Sequence, residues 1–366
     1  MSRARELADL SNVINKGANL QPNLITNGDM SVDQRNSGSS VTATHGSDTF
    51  CPDRYRFIEN HSGSFSLQQV EDAPDNLEYS MKVTVTGTDT SLSATEFTRN
   101  IQPIEGQHIS HLNWGSANAR TCTLTFYVKS SVTGAYYISL FNSAANRSFV
   151  SSYTINTADT WEKKTITYDG DTVGTINNDN GIGLQCSFWL GAGSNFTSGT
   201  LQTSWGTRVL ANDAVGQVNL ADSTANEWYI TGVQLEAGTT ASDFEFLPYD
   251  VNENRCLRYY QVIADNDVVA GTQIANATSY SSSVAYGVLF YRTTMRAEPS
   301  ADQSSVSNGF SFVHNGGSDA LTTFTVEKVT LHNIRLKNTQ TITITQGDAG
   351  WYQTSTGGYF ALDAEL

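Results

Sequence analysis

The stretch Asn226-Glu-Trp-Tyr-Ile-Thr-Gly-Val-Gln-Leu-Glu236 constrains the fold of this chain more than any other. Trp228, Ile230, Val233 and Leu235 are its apolar positions, and polar neighbours separate them around a Thr231-Gly232 break. Side chains of an extended strand point alternately to opposite faces, so this spacing predicts a strand with one face buried. Leu24-Ile-Thr-Asn-Gly-Asp-Met30 opens the same domain upstream, and Phe244-Glu-Phe-Leu-Pro-Tyr249 is its exit.

Between those ends the chain is strand and turn throughout. Phe65–Val70, Tyr79–Val85, Cys122–Val128, Tyr136–Phe141, Lys163–Tyr168 and Leu184–Leu190 are short alternating runs divided by Gly, Asn and Ser turns. Such a series predicts a two-sheet sandwich over residues 24–249, closed as a jelly roll. The stretch from Leu190 to Val215, which holds Trp205, is too long for a hairpin turn and reads as a functional or packing loop. Asp250-Val-Asn-Glu-Asn254 reads as a polar hinge. Beyond it, Ser283–Phe290, Gly309–Val313, Thr322–Val326 and Thr339–Thr345 predict a smaller C-terminal β-sandwich, so that residues 250–366 form a second domain.

The one helix expected is residues 2–15, with Ser2 as its cap and Gly17 at its end. Ala4, Leu7, Leu10 and Ile14 fall on one stripe of it. So short a helix is marginal alone in water, and its stripe must be buried against its own sandwich or against another chain. Lys16 to Asn23 reads as a linker, which favours an attachment or self-associating segment over residues 1–23. The fold class is therefore all-β: a short N-terminal helix, a jelly-roll sandwich and a smaller C-terminal sandwich.

Charge narrows the partners. Lys and Arg number 21 against 36 Asp and Glu, a net charge of −15, and no basic block is present. Nucleic acid and anionic membrane are therefore poor partners. Charged residues make up only 16% of the chain, against about 25% in an average globular protein. Ser, Thr, Asn, Gln and Gly must cover the remaining surface, which suits hydrogen bonding to sugars or packing into an assembly. No apolar run approaches a membrane span and no signal-peptide core opens the chain, so folding in the cytosol is expected, with extracellular action through released particles. Cys51, Cys122, Cys186 and Cys256 are widely spaced without a Cys-x-x-Cys pair, which predicts buried, reduced thiols and no zinc site.

Components of an enzyme are missing. The chain has no Gly-x-Ser-x-Gly elbow, Walker loop or His-Glu-x-x-His, and its six histidines are scattered. Of these, His108 and His111 lie three apart in a turn-like stretch, where surface histidines are commoner than ligands. No catalytic residue, cofactor or metal is expected. The aromatics say more. Trp228, Trp161 and Phe246 read as core, whereas Trp114 and Trp205 sit in Asn113-Trp-Gly-Ser and Ser204-Trp-Gly-Thr. Gly350-Trp-Tyr-Gln-Thr-Ser-Thr-Gly-Gly-Tyr359 reads as a third aromatic-rich loop, at the end farthest from the helix. A sugar ring stacks its C–H face on such a plate while neighbouring polar groups pair its hydroxyls. Trp114, Trp205, Trp351, Tyr352 and Tyr359 are accordingly the candidate glycan contacts. For Trp114 or Trp205 taken singly, an indole folded back over the sandwich end is the commoner arrangement.

Eight short pieces, taken in order, resemble a widespread group of bacteriophage tail-fibre-like structural proteins. They are Leu24–Met30, Asp53-Arg-Tyr-Arg-Phe57, Thr160–Thr167, Asp179–Leu184, Thr231–Glu236, Asn254–Gln261, Met295–Pro299 and Asp363-Ala-Glu-Leu366, and they span nearly the whole chain. The first domain also resembles jelly-roll carbohydrate-binding modules that begin with Asn-Gly-Asp/Asn-Phe-Glu and close on Asp-Asp-Val-x-Leu. In those modules the acidic positions supply a structural calcium site, and here Met30-Ser31 and Thr231-Gly232 stand in their place. The resemblance implies a virion structural protein of the tail-fibre or receptor-binding type. It would be a homotrimer attached to other virion proteins by its N-terminal helix and would present its sandwiches to host-surface glycan. A capsid decoration protein or head fibre, and a carbohydrate-binding module without a virion role, are the alternatives.

Overall fold

The computed structural model describes residues 23–74, 76–265, 269 and 271–366. The stripe of Ala4, Leu7, Leu10 and Ile14 lies outside the described residues. The architecture is all-β, in antiparallel sheets with minor helical content.

Glu227–Ala237 is a central strand of the first sandwich, paired with Ser80–Gly87 on one side and Cys122–Ser130 on the other. Trp228, Ile230, Val233 and Leu235 all enter one core, although the second pair is out of phase with the first. A β-bulge between Thr231 and Gln234 resets the phase. It depends on Gly232, which adopts φ +60°, and a Cβ there would press on Leu77 and Tyr127 at 2.9 and 3.0 Å. Past the bulge, the opening segment takes over the freed edge. Leu24 N–H donates to Leu235 O at 2.9 Å, and Val233 N–H to Gly28 O at 2.8 Å. The Asn23 amide closes the seam, donating to Val233 O at 2.9 Å and accepting from Leu235 N–H at 3.0 Å.

Six strands form the sheet around this one, in the order Val41–Thr42, Ser64–Val70, Ser80–Gly87, Glu227–Ala237, Cys122–Ser130 and Glu162–Tyr168. The facing sheet has seven: Gly206–Thr207, Arg147–Ile155, Gly134–Asn142, Ile182–Ala192, Phe97–Glu105, Arg56–Asn60 and Thr49–Phe50. Phe57, Phe65, Phe126, Tyr136, Phe188 and Trp228 fill the space between them. The stretch after Leu190 is a packing loop. It buries Tyr137, Val150 and Trp189 of the seven-stranded sheet beneath Ala214, Phe196 and Leu201. Arg208 pairs with Asp213 and sits 4.4 Å over the Phe141 ring, which ties the loop to the same sheet.

The expected hinge is a helix, Tyr249–Leu257. Asp250-Val-Asn-Glu-Asn254 looks like a linker because only Asn252, Cys256 and Leu257 of this helix are buried, and one of the three is polar. Asn252 buries an amide to good purpose, since its Nδ2 donates to Asp29 Oδ1 and Ser31 Oγ, both at 2.9 Å. The segment is thereby locked to the first sandwich. Two further sheets follow. One has three strands, Tyr260–Asp265, Tyr359–Asp363 and Ser300–Gln303. The other runs Gly317–Leu321, Phe310–His314, Ala349–Thr354, Gln273–Ser279, Ala285–Phe290, Asn333–Asn338 and Phe324–Glu327. Ile274, Phe310, Phe312, Leu336, Tyr352 and Phe360 make up much of the core between them. Thr339–Thr345 is not a strand, because its alternating Ile342 and Ile344 plug this core without joining a ladder.

Two aromatics expected in the core lie elsewhere. Trp161 is half-buried, its indole N–H donating to Asp72 Oδ1 at 3.1 Å, and Phe246 is 56% exposed against the edge of Phe244. Among the described residues no helix is long and apolar enough to cross a membrane.

All four cysteines are buried and unpaired. Burial pushes the Cys122 and Cys186 thiols up to about 12, which leaves almost no thiolate at neutral pH. The folded protein should therefore react slowly with a thiol reagent, and the unfolded, unreduced chain should titrate four groups. Finding two or none would contradict the reduced state.

Candidate functional site

Ala349–Thr354 is an interior strand of the second seven-stranded sheet, where the sequence suggested an aromatic loop. Gly350 makes the close packing possible, because a Cβ there would lie 2.1 Å from Val313 O. Strand alternation then separates neighbouring aromatics. Tyr352 turns inward, fully buried, with its hydroxyl donating to Ala285 O at 2.6 Å and its ring against Phe312 and Phe324. Trp351 turns outward and is 39% exposed.

Register defines what shares this outer face. Trp351 lies opposite Val313 on one side and Asn276 on the other. In the neighbouring strands Thr278 faces Tyr286, Tyr286 faces Lys337, Val288 faces Arg335, and Lys337 faces Thr325. The Trp351 indole N–H donates to Gln353 Oε1 at 2.8 Å, a bond from residue i to i+2 that lays the ring along its own strand. Gln273 Nε2 likewise donates to Asn276 Oδ1 at 2.7 Å. Tyr280, 68% exposed, packs edge-on against Tyr286 at 5.7 Å, and Arg335 sits 4.7 Å over the Tyr286 ring while pairing with Glu327. Val288 and Phe290 complete the face at 45% and 71% exposure. A solvated sheet face is ordinarily polar, so aromatic and aliphatic surface interleaved with amides makes this face the candidate binding surface.

The other candidates from sequence do not join it. Trp114 is buried and its indole N–H donates to Arg120 O at 2.8 Å. Trp205 is half-buried and donates to Asp169 O at 2.6 Å. The two rings meet edge-to-face at 4.8 Å within the first sandwich, and Trp114 also lines a recess of about 290 Å³ with Asn113, Ser116 and Asn178. Tyr359 lies on the three-stranded sheet, with its hydroxyl on that of Tyr260. Of the five candidates only Trp351 is displayed. Tyr286, Val288 and Phe290 escape a reading by alternation, because Ala285–Phe290 is apolar on both faces and nothing in it distinguishes inward from outward, and Tyr280 lies in the bend before that strand.

A larger recess of about 550 Å³ lies between the first sandwich and the helix, lined by Leu24, His108, Leu247, Val251, Arg258 and Tyr259 among others. Glu245, the carboxylate in its lining, accepts from Asn23 N–H at 2.7 Å. The buried Glu105, bonded to two residues of that lining, accepts from Arg258 Nε and Nη2 at 2.7 and 2.8 Å, Tyr259 at 2.5 Å and Gln107 at 2.6 Å. With its lone pairs taken, it has no capacity left as a general base. No group of three or more His, Cys, Asp or Glu among the described residues is placed to hold a metal ion. At the Met30-Ser31 turn, the Asn252 amide occupies the oxygens of Asn27, Asp29 and Ser31 that a cation would need.

No family model matches the chain, and no curated protein matches it. Similar solved structures include the enzymatically active domain of tailspike protein 4 of bacteriophage CBA120, at 13% identity and TM-score 0.30, covering 59% of this chain and 21% of that one. A family 11 carbohydrate-binding module from Clostridium thermocellum, in complex with a β-1,3-1,4-mixed-linked tetrasaccharide, is similar at 10% identity and TM-score 0.29, over 55% of this chain and 98% of that one. The CBM22-2 xylan-binding domain of Paenibacillus barcinonensis Xyn10C is similar at 15% identity and TM-score 0.28, over 50% and 91%. Likenesses this distant carry no argument about function.

Proposed function

We propose that this chain is a virion structural protein of the tail-fibre type that binds a host-surface glycan through the outer face around Trp351. The supporting observation is the exposed indole, held along its strand by Gln353 and flanked in register by Val313 and Asn276, with Tyr286 and Val288 one strand further on. A ring plate beside neutral amides offers stacking and hydroxyl pairing together. The chain's charge of −15 repels an anionic cell surface, but the Debye length is only about 8 Å at physiological ionic strength. Attraction therefore comes from short-range contact. The reading is one of binding and not of catalysis, and it requires no cofactor. The virion role rests on the ordered sequence pieces given above. Within that role residues 1–23, with Ala4, Leu7, Leu10 and Ile14, attach the chain to tail or capsid proteins and support a homotrimer.

A glycan array probed with the purified chain at low and raised salt tests the proposal. Binding to a subset of surface glycans that persists in salt is expected. Silence at every salt concentration would favour a capsid decoration protein, and density for the assembled particle would place the chain on tail or head.

A further inference from the structure

Resting on that reading, we infer that the glycan is an acidic oligosaccharide, with a neutral ring over Trp351 and a carboxylate or phosphate held at Lys337. Lys337 lies on the outer face with Tyr286 and Thr325 beside it in register. It lines a groove of about 280 Å³ together with Ser283, Val284, Thr325, Asn338 and Thr341 among others. No carboxylate lines this groove.

The Lys337 side chain has no hydrogen-bond or ion-pair partner among the described residues. The other half-buried lysines among them are all paired. Lys82 pairs with Glu227, Lys129 with Asp72, Lys164 with Glu162, and on the same face Arg335 with Glu327. In a chain with 36 acidic residues against 21 basic ones, a half-buried lysine without a counter-charge offers a charge-assisted hydrogen bond to an anion. Its surroundings are set for the purpose. Asn338 is rigidly spent, donating to Ser283 O and Gln340 O at 3.0 and 2.6 Å and accepting from Ala285 N–H at 2.8 Å. The hydroxyls of Ser283, Thr325 and Thr341 remain unengaged among the described residues and can pair the sugar around its charged group.

The spacing sets the size of the ligand. Three strand steps of about 4.8 Å and two residues of about 3.4 Å separate Trp351 from Lys337, a span of roughly 16 Å. A short oligosaccharide bridges that distance and a monosaccharide does not. Thr278 and Tyr286 lie on the same face between the two ends.

The test is titration of the full chain with a panel of neutral hexose tetrasaccharides, their uronic-acid counterparts and their phosphate monoesters. The expected result is about tenfold tighter binding of one acidic class, the scale of one charge-assisted hydrogen bond, declining with salt. Which acidic class wins identifies the anion. Lys337→Gln should abolish the preference, bringing the acidic members down to the affinity of their neutral counterparts, Lys337→Arg should retain it, and Trp351→Ala should weaken every member. Equal binding of neutral and acidic members by the unsubstituted chain, or an acidic preference that survives Lys337→Gln, would overturn the assignment without touching the Trp351 face. Absence of binding to neutral and acidic members alike by the unsubstituted chain would remove the glycan reading itself.

Discussion

A chain ending at Leu362 is expected to lose about 3–5 kcal/mol of stability, the cost of leaving a buried charge without its partner. Four arginines converge on residues 363–366. Arg54 and Arg35 both pair with Glu365, and Arg35 reaches Asp363 at 3.3 Å. Arg296 donates to Ala364 O and Glu365 O at 2.7 and 2.8 Å, and Arg56 donates to Leu366 O at 3.4 Å. The Arg54 side chain is only 2% exposed and lies 3.5 Å from the Tyr259 ring centre, while Arg35 is sandwiched between Phe50 and Tyr260. Removal of the tail strands these guanidiniums in low dielectric between the first sandwich and the second pair of sheets. Against a total stability of about 5–15 kcal/mol, that is a loss large enough to uncouple or unfold the protein. Urea denaturation of the truncated and intact chains measures it. Replacing both Arg54 and Glu365 with apolar residues should cost less than replacing Glu365 alone, since no orphan charge remains. A truncated chain with an unchanged urea midpoint would show that the arginines are satisfied by solvent.

Trp351→Ala carries the largest expected effect on binding. An aromatic anchor at the centre of a contact contributes about 2 kcal/mol or more, a factor of roughly thirty in affinity. Trp351 is exposed and its indole bonds only to Gln353 among the described residues, so the substitution should leave the unfolding midpoint nearly unchanged. Tyr352→Ala should do the opposite, since it empties a fully buried site and costs about 3–5 kcal/mol of stability as large aromatic deletions do. Trp205→Ala should loosen the end of the first sandwich without changing affinity per folded molecule. Adsorption of particles, or binding of the purified chain, measured beside thermal unfolding distinguishes the three. If Trp205→Ala weakens binding and Trp351→Ala does not, the site belongs to the first sandwich.

Much of the fold is legible where one strand face is buried and the other wet. The phase of Trp228, Ile230, Val233 and Leu235 marks a core strand, and Gly232 marks its bulge. Legibility fails where another interaction overrides the local pattern. Asp250–Asn254 reads as a linker, yet it is helical because Asn252 finds three oxygens on the first sandwich, a partner set invisible from local sequence. The polar run after Trp351 suggests a loop, but Gly350 admits a neighbouring backbone and the segment becomes an interior strand. At the candidate site, Trp351 can be singled out by composition alone. Its companions cannot, since Tyr286, Val288 and Phe290 alternate with Ala285, Gly287 and Leu289, and an apolar residue is uninformative about which side it takes. Trp114 and Trp205 mislead for the converse reason, because small neighbours that suggest exposure also let an indole fold inward.

The central claim is that glycan contact is made by the outer face around Trp351. Nitrogen-15 correlation spectra of the tryptophan indoles test it most directly, because the chain has only six and each reports its own hydrogen bond. On titration with a glycan identified by array, the Trp351 indole resonance should shift as its bond to Gln353 Oε1 is perturbed, while those of Trp114, Trp189, Trp205 and Trp228 stay in place. A silent Trp351 beside a shifting Trp114 or Trp205 would contradict the account.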